Sequence, residues 1–286
     1  MIMKIIATLI VSFIIAQSSI YSQNDCKITY VSNEGFLIET NSKKVLIDGL
    51  FNKIDGNWCD SPSESLLDSL KNSIPPFDNI DLIAITHNHI DHFNENVVVN
   101  HLLSSKKALV ICPNQVGDVL AKNPNYKKFS DRIISLTPSM YSDTNIVISE
   151  IPIRVLRFEH SHYMEEDSIS GEKINRHRNI ENLGYLFAID GITIFHCGDT
   201  NPLNEKEYST YKLQNEEIDI AFLERQFYGK GSAAVEIINK YISPENIIVM
   251  HIGPKNKKIF MKYFESIPNV NVLDQKMDSM TFSFAK

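Results

Sequence analysis

The chain of 286 residues is 43% hydrophobic and 22% charged, with 11 glycines, 11 prolines and one tryptophan. That composition excludes collagen-like, low-complexity and wholly disordered chains, and it supplies apolar material for one sizeable core or two small ones. With 28 Lys and Arg against 35 Asp and Glu, the formal net charge of −7 argues against a general grip on a phosphate backbone, so no nucleic-acid partner is expected.

Residues 1–22 carry Lys4 as their only charge, then an apolar run from Ile5 to Ala16, then small and polar residues up to Ser22. This is the order of a signal peptide, too short for a comfortable membrane span, with cleavage after Ala16, Ser18 or Ser22. Residues 23–286 then form an exported domain, periplasmic or secreted, with no stable membrane span; an uncleaved anchor is the competing reading. Lipidation at Cys26 is rejected, because Gln23, Asn24 and Asp25 lack the small and aliphatic residues such a site needs. Cys26, Cys59, Cys112 and Cys197 show no CxxC or zinc-finger spacing, and read either as free buried thiols or as a pair such as Cys26 with Cys59.

Lys27–Ser32, Gly35–Thr40 and Lys43–Asp48 read as an antiparallel meander with short polar links. A helix is expected over 61–73, with Ser61 as cap and Pro62 in its first turn, followed by a buried strand from Asp81 to Thr86. Further helices are expected near 94–104, 113–121, 205–213, 232–242 and 256–265. Strands are expected at Ala108–Cys112, Ile151–Glu159, Gly184–Asp190, Ile192–His196, Ile218–Leu223, Asn246–Met250 and Thr281–Ala285. The charged stretch 161–181 is long enough to be either a functional loop beside a site or a solvated surface loop. No repeat or linker divides residues 23–286, which points to one α/β domain with internal two-fold character in its layers.

The strongest chemical signal follows the strand Asp81–Thr86 directly: Thr86-His87-Asn88-His89-Ile90-Asp91-His92. Imidazole nitrogen and carboxylate oxygen are the donors zinc takes in open catalytic sites, and four of them within six residues require a loop rather than a regular helix. Three later segments place one donor each after an apolar strand: His160 in RFEHSHY, Asp199 in HCGDT and His251 in IIVMHIGP. Carboxyl ends of strands are where α/β folds collect functional groups.

These four segments, in this order, resemble the metallo-β-lactamase fold superfamily, whose domain is a four-layer αββα sandwich of two mixed sheets between outer helices. The resemblance implies a dinuclear zinc hydrolase, with His87, His89 and His160 on the first metal, Asp91, His92 and His251 on the second, and Asp199 bridging. Iron and manganese use parts of the same donor set. His162 competes with His160; His160 is favoured because it directly follows the strand, leaving His162 to contact substrate. Asp48 matches the superfamily's early aspartate and would steady the metal loop by accepting hydrogen bonds, with a turn aspartate as the bland alternative. His101 and His177 are expected to face solvent, His196 to be structural, and Cys197 not to be a ligand.

The implied reaction is attack by a metal-bridging hydroxide on a carbonyl or phosphoryl centre of a small molecule, an ester, lactone, amide or phosphodiester, with Asp91 moving a proton to the leaving group. Position alone nominates His162, Tyr163, Arg176, Arg178, Glu224 and Arg225 as substrate walls. The run GYLFAIDGITIFHCGDT and the later AAVEIINKYISPENIIVMHIGP are similar to the branch with ascorbate-6-phosphate lactonase and the N-acyl phosphatidylethanolamine-cleaving phospholipase. Two departures stand near the expected substrate side: Ser32-Asn33-Glu34-Gly35 replaces that branch's glycine-histidine-alanine, and Glu224-Arg225-Gln226 stands where a proline-containing loop is usual. The rivals are a mononuclear-iron sulfur dioxygenase on the same fold, a β-lactamase, which the Phe93-Asn94 following the motif disfavours, and a non-catalytic binding protein.

Overall fold

The expected meander is present as β1 (Gln23–Ser32), β2 (Gly35–Glu39) and β3 (Lys44–Ile47). The structure, a computed structural model, describes residues 23–285 except Asn57 and Asn256; the expected signal peptide lies outside the described residues. The chain continues through α1 (Glu64–Lys71), β4 (Leu82–Ala84), α2 (Glu95–Ser104), β5 (Leu109–Cys112), α3 (Asn114–Ala121) and β6 (Ile133–Ser135). Next come β7 (Asp143–Ile148), β8 (Ile151–Phe158), β9 (Met164–Glu166), β10 (Lys173–Asn175), β11 (Asn182–Ile189) and β12 (Ile192–His196). The last part holds α4 (Glu205–Tyr211), β13 (Ile220–Glu224), α5 (Gln226–Gly229), α6 (Ser232–Ile237), β14 (Asn246–Met250), α7 (Lys257–Phe264), β15 (Val270–Asn271) and β16 (Ser279–Ala285).

Two seven-stranded sheets result, in the orders β16-β1-β2-β3-β4-β5-β6 and β7-β8-β11-β12-β13-β14-β15. In each, the first three pairings are antiparallel and the last three parallel, so the two halves of the domain repeat one plan. Alternation along the first sheet sends its side chains into two cores. Leu37, Leu46, Ile83 and Val110 meet Leu67, Leu70, Val98 and Val116 of the outer helices α1, α2 and α3. Phe36, Ile38, Val45, Ile47 and Ala84 point the other way, into the core shared with the second sheet, to which α4, α6 and α7 add Tyr208, Tyr211, Ile237 and Phe264. The fold is thus a single αββα sandwich.

The differences from expectation have local causes. The cap is Ser63, two residues after the expected Ser61: its hydroxyl accepts from the Leu66 amide, so α1 begins at Glu64. β1 begins at Gln23 because its edge is paired along seven residues by β16 from the far end of the chain. The helix expected over 232–242 is α6 followed by a π-helical turn, Ile238–Ile242. The four thiols are all free and buried, so the pairing of Cys26 with Cys59 is not formed. His101 is not solvent-facing: it is fully buried between α1 and α2, with Nδ1 2.6 Å from the Leu70 carbonyl oxygen at the end of α1.

Candidate metal centre

The carboxyl ends of β4, β8, β12, β13 and β14 open into one cavity of about 450 Å³, lined among others by His89, Asp91, His160, Asp199, Glu224 and His251. Two backbone hydrogen bonds lock the β8 and β12 ends together: the Ser161 amide donates to the Asp199 carbonyl at 2.7 Å, and the Asn201 amide to the Glu159 carbonyl at 3.1 Å. Gly198, at φ +60°, lets the chain turn there, and an added Cβ would meet Asn182 Oδ1 at 2.5 Å. His251 is a non-glycine residue at φ +59°, a strained conformation of the kind that gathers at working sites.

The seven donors expected from sequence converge. His160 Nε2 lies 3.3 Å from His87 Nε2 and 3.1 Å from His89 Nδ1, with Asp199 Oδ2 3.6 Å away. On the other side, His251 Nε2 lies 3.4 Å from Asp91 Oδ2 and 3.7 Å from Asp199 Oδ2, and His92 Nε2 is 3.5 Å from Asp199 Oδ1. Asp199 stands between the two groups. Of the competing pair, His160 is buried in the cluster, whereas His162 points to the cavity wall and pairs with Glu159 at 2.9 Å.

Three imidazoles are fixed by partners on their outer nitrogen, which turns Nε2 toward the cluster as the atom that can ligate. His92 Nδ1 donates to Asp48 Oδ2 at 2.9 Å, His87 Nδ1 to the Thr86 hydroxyl at 3.0 Å, and His160 Nδ1 to the Ser161 carbonyl at 2.9 Å. Asp48 also accepts from the Thr86 amide at 2.8 Å and the Thr86 hydroxyl at 2.6 Å, so it braces the loop that carries His87 to His92.

The electrostatics divide the site in two. Burial drives His87 well below the usual histidine range, and takes His89 down to about 4 and His160 to about 3, so all three are neutral imidazoles ready to donate lone pairs. In the other group burial acts in the same direction, but the carboxylates overcome it. Asp199, Asp91 and Asp48 raise His92 to about 10, and Asp199 with Asp91 raises His251 to about 9. This half demands positive charge. Buried His92 Nε2 and Asp199 Oδ1 have no hydrogen-bond partner and lie 3.5 Å apart; an unprotonated imidazole nitrogen and a carboxylate oxygen that both turn a lone pair to one point fit a bound cation.

Of the nominated substrate walls, His162, Tyr163 and Glu224 line the cavity. The three arginines do not. Arg176 is held by Glu165 across the β9–β10 hairpin at 2.7 Å, Arg178 is exposed, and Arg225 Nε donates to the His251 carbonyl at 2.9 Å, supporting a donor residue instead. Burial and Asp199 push the Glu224 carboxyl up to about 7. His177, expected in solvent, is folded back by its loop so that its ring centroid lies 4.3 Å from His160 and 4.7 Å from His89. The stretch 161–181 is therefore a wall of the site. Asn33 and Glu34, expected on the substrate side, instead lie under the cluster: Asn33 Nδ2 donates to Asp91 Oδ2 at 3.1 Å, and Glu34 is buried beside His92 and Asp199. A larger hollow of about 920 Å³ on the outer face of the second sheet offers no such convergence, since its Arg154 is taken up by Asp143 and Glu216, each at 2.6 Å.

The chain belongs to the metallo-β-lactamase superfamily: a family model described as beta-lactamase superfamily domain matches residues 43–255, a span that contains all seven donors. Among curated proteins it is similar to a UPF0173 metal-dependent hydrolase of Pyrococcus furiosus, 25% identical over 263 residues, which are 84% of this chain and 98% of that one. Another, from Anoxybacillus flavithermus, is 28% identical over 230 residues, 79% of this chain and 85% of its own. Among solved structures, Igni18, a novel metallo hydrolase from Ignicoccus hospitalis, shares the fold with a TM-score of 0.59 at 20% identity, over 91% of this chain and 99% of that one.

Proposed function

We propose that the chain is an exported metal-dependent hydrolase that holds two zinc ions and cleaves an ester, lactone, amide or phosphodiester bond in a small molecule. The observation that carries this reading is the convergence of His87, His89 and His160 on one side of Asp199, and Asp91, His92 and His251 on the other, around unpartnered buried atoms. The metals supply Lewis-acid polarisation of the scissile group and water activated at neutral pH.

The chain's own residues do the rest. Asn33 fixes Asp91 through Oδ2, aligning the carboxylate proposed to pass a proton to the leaving group. Glu224, raised to about 7, holds or releases a proton near neutrality at the cavity wall, and Gln226 Nε2 steadies its Oε1 at 2.5 Å. Trp58, Ile90 and Tyr163 form an apolar rim that limits water and favours substrates with a hydrophobic part beside the scissile bond. Among the described residues no helix is long and apolar enough to cross a membrane.

Elemental analysis of the mature protein beside His87→Ala and His251→Ala tests the reading. Two zinc ions per chain, reduced by either substitution, are expected, with turnover in a screen of lactones, phosphodiesters and amides. One iron per chain that survives loss of His251 would overturn it.

A further inference from the structure

The link between β1 and β2 is a two-residue turn, Asn33-Glu34, closed by the pairing of Ser32 with Gly35. Such turns normally lie in water. Here Asn33 is 2% exposed and Glu34 0%, because the turn is pressed under the metal cluster, with Gly35 so close to Asp48 that an added Cβ would stand 2.9 Å from its carbonyl oxygen. Both Glu34 carboxylate oxygens are buried without a hydrogen-bond partner. Its one ion-pair neighbour is His92 Nδ1 at 3.9 Å, and that nitrogen already serves Asp48 at 2.9 Å. A carboxyl in a dry interior is strongly unfavourable as an anion unless a cation answers it, and an ion in the second metal position would.

A donor oxygen of Glu34 lies within 4.8 Å of donor atoms of His92, Asp199 and His251, a spread that ligands of one ion can occupy. We propose that Glu34 is an additional oxygen ligand of the second metal position. The inference rests on the two-metal reading above and deepens it. Glu34 lies outside the span 43–255 that matches the family, so the ligand would come from this chain's own N-terminal turn.

The consequence is an asymmetric pair of positions. The first has three imidazoles and a carboxylate. The second has two imidazoles, His92 and His251, and three carboxylates, Glu34, Asp91 and Asp199. Imidazole suits zinc, whereas added carboxylate favours harder ions such as manganese. The second position should therefore discriminate less between zinc and manganese than the first.

The test titrates metal-stripped wild type, Glu34→Gln and Glu34→Ala with zinc and with manganese against a chromophoric chelator, and reads stoichiometry and affinity for each ion. Wild type should take two ions. Both variants should bind the second at least about 10-fold more weakly, lose the manganese tolerance of that position, and leave the first ion unchanged. A crystal structure of the zinc-loaded wild type, which needs no variant, should place a Glu34 oxygen about 2.0–2.2 Å from the second ion. Unchanged second-ion affinity in Glu34→Gln, or a Glu34 carboxyl outside the coordination sphere in that crystal, overturns the proposal while leaving the two-metal reading intact. A wild type that binds fewer than two ions overturns both.

Discussion

Asp48→Asn removes one charge and almost no volume, which makes it the sharpest probe of how the second position is kept ready. In the wild type the carboxylate accepts three hydrogen bonds: from the Thr86 amide at 2.8 Å, the Thr86 hydroxyl at 2.6 Å and His92 Nδ1 at 2.9 Å. An asparagine oxygen can still take the amide, but its NH2 group must then face the Thr86 hydroxyl and His92 Nδ1. A donor opposite Nδ1 favours the other tautomer, with the proton moved to Nε2, the atom that stands 3.5 Å from Asp199 Oδ1 and 3.7 Å from Asp91 Oδ2. A protonated Nε2 cannot donate to a metal. Losses at such supporting residues are about 10–100-fold in metal affinity, or about 1.4–2.8 kcal/mol. Loss of the charged acceptor should also destabilise the metal-free protein by about 1.5–3 kcal/mol. Chelator competition on the stripped protein measures the first effect and urea unfolding the second. If Asp48→Asn binds its second ion as tightly as wild type, the tautomer argument is wrong, whatever the variant does to stability.

Other outcomes follow from the same geometry. His92 and His251, raised to about 10 and about 9, both carry protons at pH 7 without metal, so filling the second position should release about two protons and tighten as pH rises. Calorimetry in buffers of different ionisation enthalpy measures this, and uptake without proton release would contradict it. Burial holds the folded-state value of Glu224 at about 7, above its ordinary 4.5, so its contribution to metal-free stability is full below pH 4.5 and lost as pH rises through about 7. Glu224→Gln should flatten that decline in urea unfolding; an unaltered pH dependence counts against it. Gly198→Ala forces a Cβ to 2.5 Å from Asn182 Oδ1 and 2.9 Å from the Leu183 carbonyl at φ +60°, and should cost about 2–4 kcal/mol in chemical unfolding as well as bound metal. A variant with wild-type midpoint and metal content would show that the turn has more room than this.

The parts legible in the sequence were those set by local pattern. An apolar strand leading into His87-Asn88-His89-Ile90-Asp91-His92 announces four donors because their spacing and their position after a strand lie in one short segment. The same logic reached His160, Asp199 and His251, each after its own strand. What stayed hidden depends on partners distant in the chain. β7 was missed because its residues are mostly half exposed, and its pairing with β8 supplies what its sequence lacks. His101 sits on a helix whose polar residues looked outward, yet its ring fills the seam with α1, 31 residues earlier. His177 lies in a charged loop whose fold-back onto His160 no periodicity encodes. Glu34 had one signal, an acidic residue where similar chains carry glycine-histidine-alanine, but its meaning appears only once β3 and β12 bring Asp48 and Asp199 to the same place.

The repeated plan of the two sheets explains why that place exists. β3 and β12 are each the first strand of a parallel run, flanked by an antiparallel neighbour, and each is followed shortly by an aspartate, Asp48 or Asp199. Equivalent positions in the two halves therefore aim two acids at the seam between the sheets. Their surroundings give them different work. Asp48 has all its bonds within the chain and is spent on Thr86 and His92, so it acts through others. Asp199 keeps Oδ1 unpartnered, and the charged imidazoles of His251 and His92 hold its carboxyl well below the usual range against the pull of burial. It is thus held as an anion, placed between three neutral imidazoles and two charged ones. Replacing the charge of those two imidazoles with a metal on the carboxylate side costs two protons, whereas the neutral side takes its metal without proton loss. The two positions should fill with different pH dependence, the first nearly level above pH 5 and the second rising to about pH 10.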